Sequence, residues 1–226
     1  MIIDLHTHTK PQSEDSRLEP AELIRRAKQA GIDGVCFTEH DWFWDEAALT
    51  RLSQEHDFLV LPGVEIDVDE GHLVVFGGDR DSLTLEYNSN LRRTEYIRSV
   101  VDEAVGFIIL AHPYRKQSNT DDDFYTAVKR FCKKPVFQLV DAIETLNGRC
   151  SVRANNFSQE LSRRLNITGT GGSDAHFILD IPSCATRFER EIRNVEQLVT
   201  ELKAGRFRAV NLRHSSWDCS HYTRQE

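Results

Sequence analysis

Two histidines one residue apart, His6 and His8, close a short apolar run, Ile2-Ile3-Asp4-Leu5. Side chains alternate along a strand, so both imidazoles face the same side. Protonated, they would repel; neutral, they make a pair of ligands for one divalent cation. The chain repeats this design. Apolar runs end at or next to His40, Glu65, His112 and Asp174 with His176, and another begins at His72. Six of the nine histidines therefore lie at or beside a strand end, and Asp15, Glu65 and Asp174 add carboxylates. Burying that many ionisable groups without cations would be costly. Imidazole mixed with carboxylate suits Mn, Fe or Zn better than Mg or Ca. His56, His214 and His221 lie away from strand ends and read as surface residues.

The elements that must carry these groups alternate along the chain. Pro20 to Ala30 reads as a helix, with Pro20 in its first turn and Gly31 as its C-cap. Gly34 to Thr38 reads as a strand and 45–56 as a helix. Strand character follows at Phe58 to Leu61, Val64 to Ile66 and His72 to Phe76. Glu95 to Ala104, Asp123 to Cys132, Ala154 to Leu165 and Val195 to Ala204 read as helices. Phe107 to Ala111, Ala142 to Leu146, Ile167 to Gly171 and Arg208 to Leu212 read as strands. About seven alternations of strand and helix predict a parallel α/β fold. Chemistry at the ends of nearly all the strands favours a barrel face over the single switch point of an open sheet. Residues 78–92 are polar and irregular and are expected to form a loop over the site. One domain, residues 1–213, and a loosely held tail, 214–226, are expected.

Composition narrows the function. At 226 residues, one good core is affordable. The 28 basic and 36 acidic residues give a net charge of −8, which argues against long duplex nucleic acid but not against a small pocket for one phosphate. Cys36, Cys132, Cys150, Cys184 and Cys219 are odd in number and scattered, which points to a reducing, cytoplasmic setting. The sequence shows neither a basic-apolar leader nor a run of the ~20 apolar residues a membrane span needs.

Five segments, Asp4-Leu5-His6-Thr7-His8-Thr9, Thr38-Glu39-His40-Asp41, Gly63-Val64-Glu65-Ile66, Ala111-His112-Pro113 and Gly172-Ser173-Asp174-Ala175-His176, come in the order of the motifs of the PHP (polymerase and histidinol phosphatase) family. The chain resembles that family from residue 2 to about residue 205. Ala142 to Arg149, followed by Asn155 and Asn156, is similar to the later half of its small stand-alone members. The resemblance implies a distorted seven-stranded β/α barrel resembling a TIM barrel, with a trinuclear metal centre. It implies that His6, His8, Glu65 and Asp174 hold one ion, that Glu65 bridges to a second held with His72 and His112, and that Asp15, His40 and His176 hold the third. Asp15-Ser16 fits the family pattern better than Glu14. No histidine lies between His8 and His40, which weighs against histidinol phosphate as substrate.

These parts predict a metal-dependent phosphoesterase. Clustered cations clamp an in-line phosphoryl displacement and acidify the attacking water. A small phosphomonoester, a nucleotide or nucleoside bisphosphate foremost, is the expected substrate. Arg115, three residues after His112, could take a phosphate oxygen in bidentate fashion. Asn147 and Arg149 are further substrate-binding candidates, with Lys116 a weaker one. Asp41 could act as a general acid, orient His40 or cap the next helix. Trp42, Phe43 and Trp44 could stack on a base or pack on that helix. Other readings are an amidohydrolase-type C–N hydrolase, a non-catalytic binding or regulatory module that retains the fold, a phosphotyrosine phosphatase and an oligonucleotide end-processing enzyme.

Overall fold

The computed structural model describes residues 1–84, 93–114 and 123–213. Arg115, Lys116, most of the expected loop 78–92 and the tail 214–226 lie outside the described residues. Strand β1 (Ile2–Thr7) leads through helix α1 (Pro20–Gln29) to β2 (Gly34–Phe37), then through α2 (Glu46–His56) to β3 (Leu59–Pro62). Strands β4 (Val64–Val68) and β5 (Gly71–Phe76) follow, joined by a short connection, and then, after α3 (Arg80–Thr84) and α4 (Thr94–Glu103), β6 (Phe107–Ala111). Helix α5 (Phe124–Phe131), β7 (Ala142–Asn147), α6 (Val152–Leu165), β8 (Gly169–Gly172), β9 (Cys184–Phe188), α7 (Val195–Lys203) and β10 (Phe207–Asn211) complete the order.

The ten strands of the described residues form two five-stranded sheets, β10-β9-β1-β2-β3 and β4-β5-β6-β7-β8. This differs from a closed seven-stranded barrel. The expected parallel pairing holds for β1–β2, β2–β3, β6–β7 and β7–β8, but β5 is antiparallel to both neighbours and β9 is antiparallel to β1 and β10. Connection length accounts for the β4–β5 reversal. Only Asp69 and Glu70 separate β4 from β5, with Val68 opposite Gly71, and so short a link joins antiparallel strands only. Strand β9 was invisible to periodicity because Cys184-Ala185-Thr186-Arg187-Phe188 does not alternate cleanly.

The chain changes sheets at Gly63, between β3 and β4. A Cβ there would lie 2.7 Å from the Phe76 ring and 2.9 Å from the Thr38 methyl group, so only glycine passes. The sheets then meet at one end. Bridges join His40 to Glu65 and Thr7 to Ala175, with N–H to O distances of 3.0 Å for Glu65 to Glu39, 2.8 Å for Asp41 to Glu65 and 2.8 Å for Asp174 to His6. That end is where the chemistry-bearing residues stand.

Helices cover the outer faces. Side chains of Asp45, Asp123, Ser151 and Asn194 cap α2, α5, α6 and α7. Strand β6 is buried throughout, as its unbroken apolar run predicts. Phe157 of α6 is fully buried among the rings of Tyr114, Phe124 and Phe131 at centroid distances of 4.4, 5.8 and 5.3 Å. Tyr114 lies two residues beyond His112, so this cluster backs the segment that carries a site histidine. Among the described residues no helix is long and apolar enough to cross a membrane.

Candidate metal centre

All nine expected ligands converge. Glu65, at the start of the second sheet and 1% exposed, lies at the middle. Its Oε1 is 2.9 Å from His72 Nδ1 and 3.0 Å from His112 Nε2. Its Oε2 is 3.4, 3.3 and 3.1 Å from His6 Nε2, His8 Nε2 and His40 Nδ1. One carboxylate thus faces five imidazoles, two from one oxygen and three from the other. Asp174 Oδ1 stands 3.6 Å from His8 Nε2 and 3.9 Å from His6 Nε2. Asp15 places its oxygens 3.0 Å from His176 Nε2 and 3.5 Å from His40 Nε2, so it is the acid of its loop that faces these rings.

The nitrogen and oxygen atoms fall into three tight groups: His6, His8 and Asp174; His6, Glu65 and His112; and His8, His40 and His176. The first holds three of the four residues expected for one ion and lacks Glu65. The second draws in His6 beside His112, and the third puts His8 where Asp15 was expected. The groups share His6 and His8, so they describe one continuous cluster.

Hydrogen bonds behind the rings set their tautomers. His6 Nδ1–H donates to Glu144 Oε1 at 3.0 Å. The Ser13 hydroxyl donates to Glu39 Oε2 at 2.6 Å, so it accepts from His8 Nδ1–H at 3.2 Å. His176 Nδ1–H donates to the Asp174 carbonyl at 2.8 Å. All three rings therefore turn Nε2 into the cluster, and His6 Nε2 and His8 Nε2 stand 3.1 Å apart. Two lone pairs at that distance repel unless a positive charge lies between them. Nitrogens bound at ~2.1 Å to one ion at right angles would be about 3.0 Å apart. The donor set fits divalent cations.

The charges agree with this picture. Burial pulls the His8 ring down to about 3, so it is a neutral ligand. Burial also pulls on His6, but the carboxylates of Glu144, Glu65 and Asp174 outweigh it and hold His6 well above the usual histidine range. A proton on His6 Nε2 thus answers the same demand for positive charge that a cation would. Burial pushes Glu65 up, yet His6 and the hydrogen bonds of His112 and His40 hold it well below the carboxylate range.

The backbone is strained where the ligands sit. His112 has φ 29°, Asp174 φ 55° and Asp41 φ 50°. A non-glycine residue in this region costs about 1–2 kcal/mol, eased for Asp by local hydrogen bonds. The cost at His112 is met by its own N–H, which donates to Glu144 Oε2 at 2.9 Å.

The remaining candidates separate. Asn147 is fully buried, and its Nδ2 donates to Glu144 Oε2 at 3.0 Å and Asp174 Oδ2 at 3.1 Å. Its amide hydrogens are thus committed to carboxylates, which differs from the substrate-binding role expected. Arg149 is exposed, and its backbone N–H donates to Asn147 Oδ1. Asp41 is exposed and accepts from the Asp67 N–H at 3.3 Å; the cap of α2 is Asp45. Trp42, Phe43 and Trp44 divide: Phe43 joins the core, Trp44 Nε1 donates to Glu39 Oε1 at 2.9 Å, and Trp42 is 38% exposed. Arg115 lies outside the described residues. A separate cleft lined by Phe43, Trp44, Pro62, Val105 and Val199 has no histidine in its lining.

Sequence reasoning passed over the outer carboxylates. Asp4, 1% exposed, accepts from the Ser173 N–H at 2.8 Å and the His6 N–H at 3.2 Å, tying β1 to the turn before Asp174. Glu39 and Glu144 are also buried. Their signal was present, since each is an acid at or near the end of an apolar run, like the ligands themselves.

Comparison with known proteins follows the same line. The chain is 24% identical over 191 residues to an uncharacterised protein of Methanocaldococcus jannaschii, covering 83% of this chain and 70% of that one. It is similar in structure to a two-domain protein of Bacteroides vulgatus described as containing a PHP-like metal-dependent phosphoesterase, with TM-score 0.68, 20% identity and coverage of 93% and 64%. It is also similar to an amidohydrolase of Chromobacterium violaceum, determined with bound sulfate and no metal, with TM-score 0.62, 17% identity and coverage of 93% and 98%. Residues 152–207 match the PHP-associated family. Residues 4–139, which carry His6, His8, Asp15, His40, Glu65, His72 and His112, match the PHP domain, and the chain belongs to the PHP domain family.

Proposed function

We propose that this protein is a metal-dependent phosphoesterase that hydrolyses a small phosphomonoester, a nucleotide or nucleoside bisphosphate foremost, at a centre of three divalent transition-metal ions. The observation that carries the reading is Glu65, whose two oxygens divide five imidazoles between them, an arrangement suited to a carboxylate bridging cations. His6, His8, Glu65 and Asp174 would hold one ion, Glu65, His72 and His112 a second, and Asp15, His40 and His176 a third. Such ions supply Lewis acidity and an acidified water for in-line attack at phosphorus.

The chain's own residues supply the rest. His6, His8, Glu65 and Asp174 are buried and keep one side of the centre dry, which strengthens every charge interaction there. The His40 and Asp15 side chains are 37% and 59% exposed, so substrate enters from their side. Trp42, exposed two residues beyond His40, offers a ring to an aromatic leaving group there. Arg115 remains the proposed phosphate clamp, with Arg149 a second cation near the β7 end. A reducing cytoplasm is the proposed setting, and residues 1–213 the proposed catalytic unit.

The test is phosphate release from a panel of phosphomonoesters with added Mn²⁺, in the wild type and in His112→Ala. Loss of turnover in the variant is expected; equal turnover would defeat this assignment of the site. An amidohydrolase-type C–N hydrolase is the second reading, favoured by the likeness to the Chromobacterium protein. Turnover of amides but not of phosphomonoesters would select it.

A further inference from the structure

Glu144 is absent from the ligand sets above, yet it contacts two of those ligands directly and a third through Asn147. It stands on β7 and is 3% exposed. Oε1 accepts from His6 Nδ1 at 3.0 Å; Oε2 accepts from the His112 N–H at 2.9 Å and Asn147 Nδ2 at 3.0 Å. Asn147 passes the contact on to Asp174 Oδ2 at 3.1 Å. Asn147 is itself clamped, since its N–H donates to Asn155 Oδ1 and its carbonyl accepts from Asn155 Nδ2, each at 3.0 Å. One carboxylate therefore reaches His6 in the first sheet and His112 and Asp174 in the second. Gly172 makes room for it: a Cβ there would lie 2.5 Å from His6 Cβ and 2.9 Å from Glu144 Oε1.

From this geometry we infer that Glu144 is the positioning residue of the centre: it fixes the His6 tautomer, holds the strained His112 backbone and, through Asn147, aims Asp174. The inference rests on the metal-centre reading proposed above. Charge and atom type both matter, because all three neighbours are donors. A glutamine of the same shape offers one acceptor oxygen and one NH₂ group. With NH₂ toward His6, the ring must turn its proton to Nε2, where the lone pair is needed. With NH₂ toward His112, donor meets donor at the backbone and at Asn147.

The test compares full-length wild type with Glu144→Gln after chelation, by calorimetric titration with Mn²⁺ and by melting with and without Mn²⁺. The expected result is a ~10–100-fold loss of Mn²⁺ affinity, as for other outer partners of metal-bound histidine. The chelated variant should melt below the wild type, since a buried donor loses its acceptor, and the rise in melting temperature with Mn²⁺ should shrink as well. A merely structural role would lower the chelated melting temperature and leave affinity intact. Wild-type affinity in Glu144→Gln overturns the inference. Wild type that takes up no Mn²⁺ overturns the metal-centre reading beneath it, and the inference with it. If Glu144→Gln does not fold, Asn147→Ala carries the test with Glu144 intact: lost affinity supports the link to Asp174, and unchanged affinity overturns it.

Discussion

Replacing Gly172 with alanine should damage cation binding through one added methyl group. The new Cβ would stand 2.5 Å from His6 Cβ, 2.9 Å from Glu144 Oε1 and 3.1 Å from the His6 nitrogen. Carbon atoms in contact prefer about 3.5–4.0 Å, so β1 and β8 must separate by roughly 1 Å. Two backbone hydrogen bonds resist this, Asp174 N–H to the His6 carbonyl at 2.8 Å and His8 N–H to the Ala175 carbonyl at 3.1 Å. Overpacking of this kind costs about 1–3 kcal/mol. For a chain of 226 residues, that is a fall of about 2–12 °C in melting temperature. Displacing His6 from Glu144 should also weaken Mn²⁺ binding by ~10–100-fold. Calorimetric titration of the chelated protein and thermal melting measure the two effects. Gly169→Ala is the control. It lies at the other end of β8, where its Cβ would meet the Thr145 hydroxyl at 2.5 Å, so it should destabilise the fold and spare the affinity. Wild-type Mn²⁺ affinity in Gly172→Ala, or an equal loss in Gly169→Ala, would refute the reasoning.

Two further outcomes concern the body of the fold. Phe157→Ala removes a fully buried ring that three other aromatics surround, and a loss of about 3–5 kcal/mol is expected. Urea unfolding reads this directly, and a loss well under 1 kcal/mol would mean that α6 does not anchor the core. Burial pushes the Cys184 thiol up to about 12 and Cys36 well above its ordinary range. The thiolate then forms only as pH rises toward those values, leaving about one Cys184 in 10⁴ ionised at pH 8. Both should resist iodoacetamide in the native protein at pH 8 and react in urea, as peptide mass spectrometry would record; prompt native labelling of either would contradict the packing.

Much of the centre was legible along the chain. The His6 and His8 pair reads directly from strand alternation, because a period of two puts both rings on one side. The acid or histidine at the end of each apolar run marks a strand end, where a buried backbone meets an open face. Helices α1, α2, α4, α5, α6 and α7 were legible for a related reason, since apolar spacing and, for α1, Pro20 at its start and Gly31 after its end are local signals.

The tertiary structure decided what local signals cannot carry. A seven-stranded barrel was what the family resemblance implied, but the chain changes sheets at Gly63, and the two-residue link after β4 turns β5 antiparallel. Asn147 was expected to bind substrate, and three-dimensional packing buries it between two carboxylates. Glu144 and Glu39 had the same signature as the ligands, and only their distances to His6 and to Ser13 give them other roles. Residue type and period determine which way a side chain points from its own strand. Which groups it meets depends on contacts across 138 positions of sequence, as between His6 and Glu144, and those exist only once both sheets have closed on the same end.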